Sequence, residues 1–142
     1  MYAIYANLRV YTGAPTVPLQ VIDTDIINAW TNGTDITFTT GILKFLNGNE
    51  DEIATVLGHE MAHVMLHHML NTDPTLMTID KEGQADKMGA FFTLRAGYDI
   101  CEGRKFYLQL DKMGSGDQAN PEMWEHPSYS YRYYSISMPW CR

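Results

Sequence analysis

His59, Glu60 and His63 stand in the segment Gly58-His59-Glu60-Met61-Ala62-His63, which reads His-Glu-x-x-His. On a helix, residues four apart share a face, so both imidazoles can reach one metal ion. Neutral imidazole suits Zn²⁺, a cation that imposes no d-electron geometry of its own. Glu60 follows the first imidazole by one residue, where its carboxylate can take a proton from water on the metal. The competing reading makes His59 and His63 ordinary helix residues. The apolar run around them weakens it, because two unpartnered buried imidazoles are costly.

A catalytic zinc site commonly has three protein ligands and leaves a fourth position to water. The best third candidate is Glu82, in Glu82-Gly83-Gln84-Ala85-Asp86 on a second predicted helix, after a loop long enough to fold back. Asp86 lies one turn further along the same face. There it can accept a hydrogen bond from the distal nitrogen of a ligating histidine and fix its tautomer. Without the histidine pair, Glu82 and Asp86 would read as two solvent-facing acids. His67 continues the one-face series of His59 and His63 but lies too far down the helix to share their ion. His68 reads as a helix-end residue near the negative pole of the dipole.

These side chains need elements to position them. The first third of the chain reads as strands: residues 17–22, 27–30 and 36–39 are short, β-branched or aromatic, and bounded by Gly, Pro, Asn and Asp. Asn32-Gly33 marks a turn, and Ile36-Thr37-Phe38-Thr39 alternates as a strand with one buried face should. From Gly41 the pattern turns helical, with a short helix through Leu46 ended by Gly48. Asn49 caps the next helix, expected over residues 50–70 with Glu50, Asp51 and Glu52 in its first turn. Further helices are predicted over residues 80–95, from the Asp99 cap to residue 112, and from His126-Pro127 to residue 138. Strands first and helices after indicate an α+β domain, here one domain over residues 1–142.

Composition narrows the partners. The chain has 45% apolar and 19% charged residues and a net charge of −7, which gives no electrostatic support to nucleic acid or an anionic membrane. No run approaches a membrane span, and MYAIYANLRV lacks the marks of a signal peptide. A soluble chain is expected, its compartment open with the cytoplasm slightly favoured. Cys101 and Cys141 are read as free thiols in preference to a bridge.

The wider sequence resembles the gluzincin metallopeptidases of the HtpX and CAAX prenyl protease type. The resemblance rests on Asn28-Ala29-Trp30, Ile36-Thr37-Phe38-Thr39-Thr40-Gly41-Ile42-Leu43 and Val56-Leu57-Gly58-His59-Glu60-Met61-Ala62-His63-Val64. It continues through Glu82-Gly83-Gln84-Ala85-Asp86-Lys87-Met88-Gly89, Ala96-Gly97-Tyr98-Asp99, and His126-Pro127 with Arg132 six residues after His126. It implies a zincin-like fold with Zn²⁺ held by His59, His63 and Glu82, Glu60 as general base and acid, and Asp86 supporting a ligand. It also implies that Ile36, Thr37, Phe38 and Thr39 form an edge strand above the cleft, to which an extended peptide adds. His126 is implied near the metal, as oxyanion donor or as a fourth ligand that holds the enzyme latent, and Arg132 pairs with an acid near the site.

The expected activity is zinc endopeptidase action on extended or unfolded polypeptide. A latent or peptide-binding zinc protein with a closed site is the alternative. Peptide deformylase, which shares His-Glu-x-x-His, needs an upstream Cys ligand, and both cysteines here lie downstream. The chain lacks the spanning helices of membrane relatives. Its end, Met138-Pro139-Trp140-Cys141-Arg142, has no counterpart and is expected over the cleft, with Cys141 a candidate ligand. Tyr129, Tyr131, Tyr133 and Tyr134 offer phenols, although packing is the commoner role of such a run.

Overall fold

The computed structural model describes residues 1–13, 16–67, 78–113, 129–137 and 141. Three short strands, β1 (Leu19–Ile22), β2 (Ala29–Thr31) and β3 (Ile36–Thr39), form a mixed sheet in the order β1-β3-β2. β3 runs parallel to β1, pairing Leu19 with Ile36, and antiparallel to β2, pairing Trp30 with Thr37. Asn32 Oδ1 accepts from the Thr34 and Asp35 amides and closes the β2–β3 turn, with Gly33 at φ 94°.

The edge-strand expectation for Ile36, Thr37, Phe38 and Thr39 is therefore corrected. β3 is the central strand, paired on both sides, and all four residues are buried. The alternation misled because the threonines of the polar face are buried too, with their hydroxyls satisfied locally. Thr37 Oγ1 accepts from Gln20 Nε2 at 2.9 Å. Thr39 Oγ1 accepts from the Asn28 and Ile42 amides at 3.2 and 3.0 Å, and it caps the helix that follows.

Helix α1 (Tyr2–Thr12), over a segment where no helix was predicted, opens the chain. Ile4, Tyr5 and Leu8 fall on one face and are buried, and Gly13 ends the helix in the left-handed region. Its Tyr, Ile and Val content hides that periodicity behind β-type residues. α2 (Thr40–Leu46) ends at a left-handed Asn47, one residue before the expected Gly48. α3 (Glu50–Met65) begins at the Asn49 cap as expected but stops at Met65. α4 (Thr78–Arg95) follows. The helix expected from Asp99 to residue 112 is two, α5 (Ile100–Gly103) and α6 (Lys105–Met113), broken at Arg104. α7 is Tyr129–Ser137. No helix among the described residues is long and apolar enough to cross a membrane.

α3 is the axis of the core. Every residue from Glu52 to Val64 is buried, so other elements cover the helix on all sides. It packs most closely on α4, where Gly58 meets Gly89. A Cβ on Gly89 would stand 2.6 Å from the His59 amide nitrogen, and one on Gly58 would stand 2.7 Å from the Gly89 carbonyl oxygen. Both clashes are with backbone, which cannot swing aside. Thr93 seals the contact, donating to the Gly89 carbonyl at 2.8 Å on its own helix and lying 3.3 Å from the Ala54 carbonyl of α3.

The free-thiol expectation is also corrected. Cys101 on α5 and Cys141 form a disulfide, with Cα atoms 5.5 Å apart. Cys101 lies just past the Asp99 cap, and the approach of the chain end to α5 is a tertiary contact that spacing does not reveal. Cys141 is thereby unavailable as a metal ligand. Residues 138–140 of the tail expected over the cleft lie outside the described residues.

Two stability effects follow from this packing. Gly89→Ala should destabilise the fold by about 1–3 kcal/mol, the usual cost of overpacking, measured as a lowered Tm. Because the disulfide closes a loop with a sequence separation of 40 residues, its reduction, or the Cys101→Ser/Cys141→Ser variant, should cost roughly 2–5 kcal/mol in chemical denaturation.

Candidate active site

α3 and α4 supply a compact cluster of ligating atoms. His59 and His63, four apart on α3, bring their Nε2 atoms within 3.1 Å of each other. Glu82, on the first turns of α4, sets Oε2 3.0 Å from His59 Nε2 and Oε1 3.2 Å from His63 Nε2. All three residues are buried, and among the described residues they alone form a group able to hold a metal ion. Tetrahedral coordination at bond lengths of about 2.0–2.1 Å places ligand atoms about 3.3 Å apart, close to the spacing found. The donor set of two imidazoles and a carboxylate fits zinc.

Protonation points the same way. His59 Nδ1 lies 2.8 Å from Asp86 Oδ1, which makes Nδ1 the proton-bearing nitrogen of that ring and turns Nε2 toward Glu82 and His63. Burial opposes a charge on His59, but the hydrogen bond and negative charge of Asp86, together with Glu82, outweigh it and raise its pKa to about 10. In His63 burial prevails over Glu82, the His59 charge adds to it, and the pKa is lowered. A cation held by these atoms competes with the proton that Asp86 and Glu82 favour on His59.

Asp86 is the hub behind the ligands. Arg132 of α7 grips it with two bonds, Nε to Oδ2 at 2.8 Å and Nη2 to Oδ1 at 2.7 Å. Tyr107 of α6 donates to Oδ1 at 3.1 Å and accepts from Arg132 Nη2 at 3.0 Å. The Arg132 guanidinium also stacks over the Tyr107 ring, 4.5 Å from its centroid. Burial would raise the Asp86 pKa, yet the Arg132 charge and the His59 hydrogen bond hold it well below the usual carboxylate range. Burial raises the Tyr107 phenol well above its ordinary value, so it stays neutral as a donor.

Glu60 is buried and lines the same cleft as the three ligating residues. The cleft, about 320 Å³, has the segment from Ile26 through β2 to Thr31 as one wall, and residues of α6 and α7 also line it. Residues 36–39 do not line it. Of the three strands, β2 is the one that lines the cleft.

His59, Glu60, His63, Glu82, Asp86 and Arg132 are thus brought together. His126 and His68 lie outside the described residues. His67 follows the end of α3 with φ 55° and is exposed, away from the ligand face. Tyr107 was not singled out by its sequence. It sits beside Phe106 in an amphipathic helix, and nothing in that pattern separates a phenol that binds a carboxylate from one that packs.

Residues 5–79 match the family model for Peptidase family M48, a stretch that carries His59, Glu60 and His63 and ends before Glu82. The chain is also similar to a protease HtpX homolog of Thermococcus kodakarensis, 35% identical over 69 residues. That alignment covers 45% of this chain and 23% of the relative, so it spans less than a quarter of the relative's length. The family match extends over more than half of the chain and contains the helix on which both imidazoles stand: the chain belongs to peptidase family M48.

Proposed function

We propose that residues 1–142 form a zincin-like catalytic unit, a zinc-dependent endopeptidase that cleaves extended or unfolded polypeptide. The observation that carries this reading is the convergence of His59 Nε2, His63 Nε2 and a Glu82 carboxylate oxygen pair at 3.0–3.2 Å, with Glu60 lining the same cleft. His59, His63 and Glu82 would hold Zn²⁺, which supplies Lewis acidity toward the peptide carbonyl and the attacking water. Glu60 takes the proton of that water and returns it to the leaving nitrogen. Asp86, fixed by Arg132 and Tyr107, keeps His59 in the tautomer that turns Nε2 to the metal.

The substrate aligns on β2. The Asn28 carbonyl accepts from the Thr39 amide, so Asn28 and Trp30 direct their main-chain groups to β3. By the alternation of a strand, Ala29 and Thr31 direct theirs to the opposite edge. An extended peptide adds there through main-chain bonds, which require extension and little particular sequence. The Ala29 amide is covered by Asn28 Oδ1 at 2.9 Å, a bond that a substrate carbonyl replaces.

Two variants separate chemistry from architecture. Glu60→Gln should retain one zinc per chain and lose casein cleavage by at least a hundredfold, and chelation should abolish wild-type cleavage reversibly. Cleavage at the wild-type rate by Glu60→Gln would disprove the base assignment. Arg132→Met leaves the Asp86 charge buried with its main partner gone. It should cost about 3–5 kcal/mol of stability and weaken zinc binding roughly 10–100-fold, by denaturation and metal competition.

A further inference from the structure

Away from Glu60, Arg132 and the candidate ligands, much of the cleft lining is apolar. Trp30 and Ile42 line it from the sheet side and α2, Val56 from α3, Phe106 and Leu110 from α6, and Tyr129 from α7. Val56 precedes His59 by three residues, so it lies on the ligand face of α3, one turn toward the helix N-terminus. Phe106 and Leu110, four apart, present one face of α6. Tyr129 stacks on Tyr107, with ring centroids 6.4 Å apart, and this joins the apolar wall to the residues behind His59. Val56, Phe106 and Tyr129 are buried, while Leu110 is only half-buried and borders solvent.

Charge is distributed unevenly along this surface. The Asp, Glu, Lys and Arg residues among the described lining are Glu60, Glu82 and Arg132, all belonging to the metal centre. Arg132 is already gripped by Asp86 and Tyr107, so an acidic side chain entering the cleft finds its cation engaged. A charged side chain against Val56, Phe106, Leu110 and Tyr129 would lose water without gaining a partner. A large apolar one gains burial.

We propose that Val56, Phe106, Leu110 and Tyr129 form a specificity pocket for one bulky uncharged side chain of the substrate, beside the metal centre. The assignment rests on the peptidase reading above, with β2 setting the alignment of the chain and this pocket selecting one residue. Leu110 is the determinant most open to change, because it is only half-buried and borders solvent.

The test measures binding as well as turnover. N-acetylated hydroxamates of Leu, Phe, Asp and Lys are titrated calorimetrically into zinc-loaded wild type, Leu110→Ala and Leu110→Arg, and casein cleavage is followed in parallel. Wild type should bind the Leu and Phe compounds at least tenfold more tightly than the Asp and Lys compounds. Leu110→Ala should narrow that gap, and Leu110→Arg should raise affinity for the Asp compound at least tenfold, each with one zinc per chain retained. Equal affinities across the panel, no binding by any compound, or an unchanged order in Leu110→Arg would overturn the pocket. Selective binding without casein cleavage would leave the pocket standing and remove the peptidase reading. Cleavage with unselective binding would do the reverse.

Discussion

The geometry of the candidate site depends on one backbone contact, the approach of α3 to α4 at Gly58 and Gly89. With no side chain between them, the Gly89 backbone lies against the peptide that joins Gly58 to His59. The distance between the helices therefore sets the distance from the His59 ring to the carboxylates of Asp86 and Glu82, about one and about two turns earlier on α4. Glu82 meets the ring at Nε2 and Asp86 at Nδ1, so one helix grips both nitrogens of a histidine on the other. Separating the helices by the width of a methyl group would open both bonds together. Interiors packed to crystal density cannot absorb such a displacement locally.

Around that contact the protein buries a set of charges whose desolvation opposes folding. Asp86, Arg132, Glu82 and Glu60 all lie in the interior with His59 and His63. Such a cluster contributes little net stability even when fully paired, and it is strongly destabilising when one member is missing. Its use is orientation. Asp86 accepts from His59, Tyr107 and Arg132, so three helices besides its own are referenced to a single carboxylate.

Features set by local periodicity were legible in the sequence. The histidines four apart, and Glu82 and Asp86 one turn apart on the next helix, follow from a 3.6-residue period, and the Asn49 cap with its acidic first turn is a local signal for the start of α3. Features set by long-range pairing were not. Ile36-Thr37-Phe38-Thr39 has the alternation of a half-exposed strand, and only the positions of β1 and β2 make it central. The α1 segment is rich in Tyr, Ile and Val, and its helical face appears only once Ile4, Tyr5 and Leu8 have α3 and α4 to pack on. Cys101 and Cys141 are joined by a tertiary approach that no spacing encodes, and Tyr107 gains its role from Asp86, on another helix.

α7 illustrates how these two kinds of information combine. The three candidate ligands, His59, His63 and Glu82, stand on α3 and α4, so the group able to hold a metal is complete without α7. What α7 adds is Arg132, which also lies 3.8 Å from Glu82 Oε2, and the rest of the helix is secured by contacts with other elements. Arg104 donates to the Tyr133 carbonyl at 3.3 Å and lies over the Tyr133 ring at 3.9 Å. Ile136 is buried in the core, and the disulfide fastens the chain beyond α7 to α5. These attachments act at one end of the helix and along its flank, away from the cleft. Arg132 is therefore held against Asp86 by packing and a covalent link on other elements, while the Asp86–His59 bond it supports joins α3 to α4 directly at 2.8 Å. The division lets the ligand geometry be strict on two helices that are close in sequence, and lets its support arrive from a distant segment.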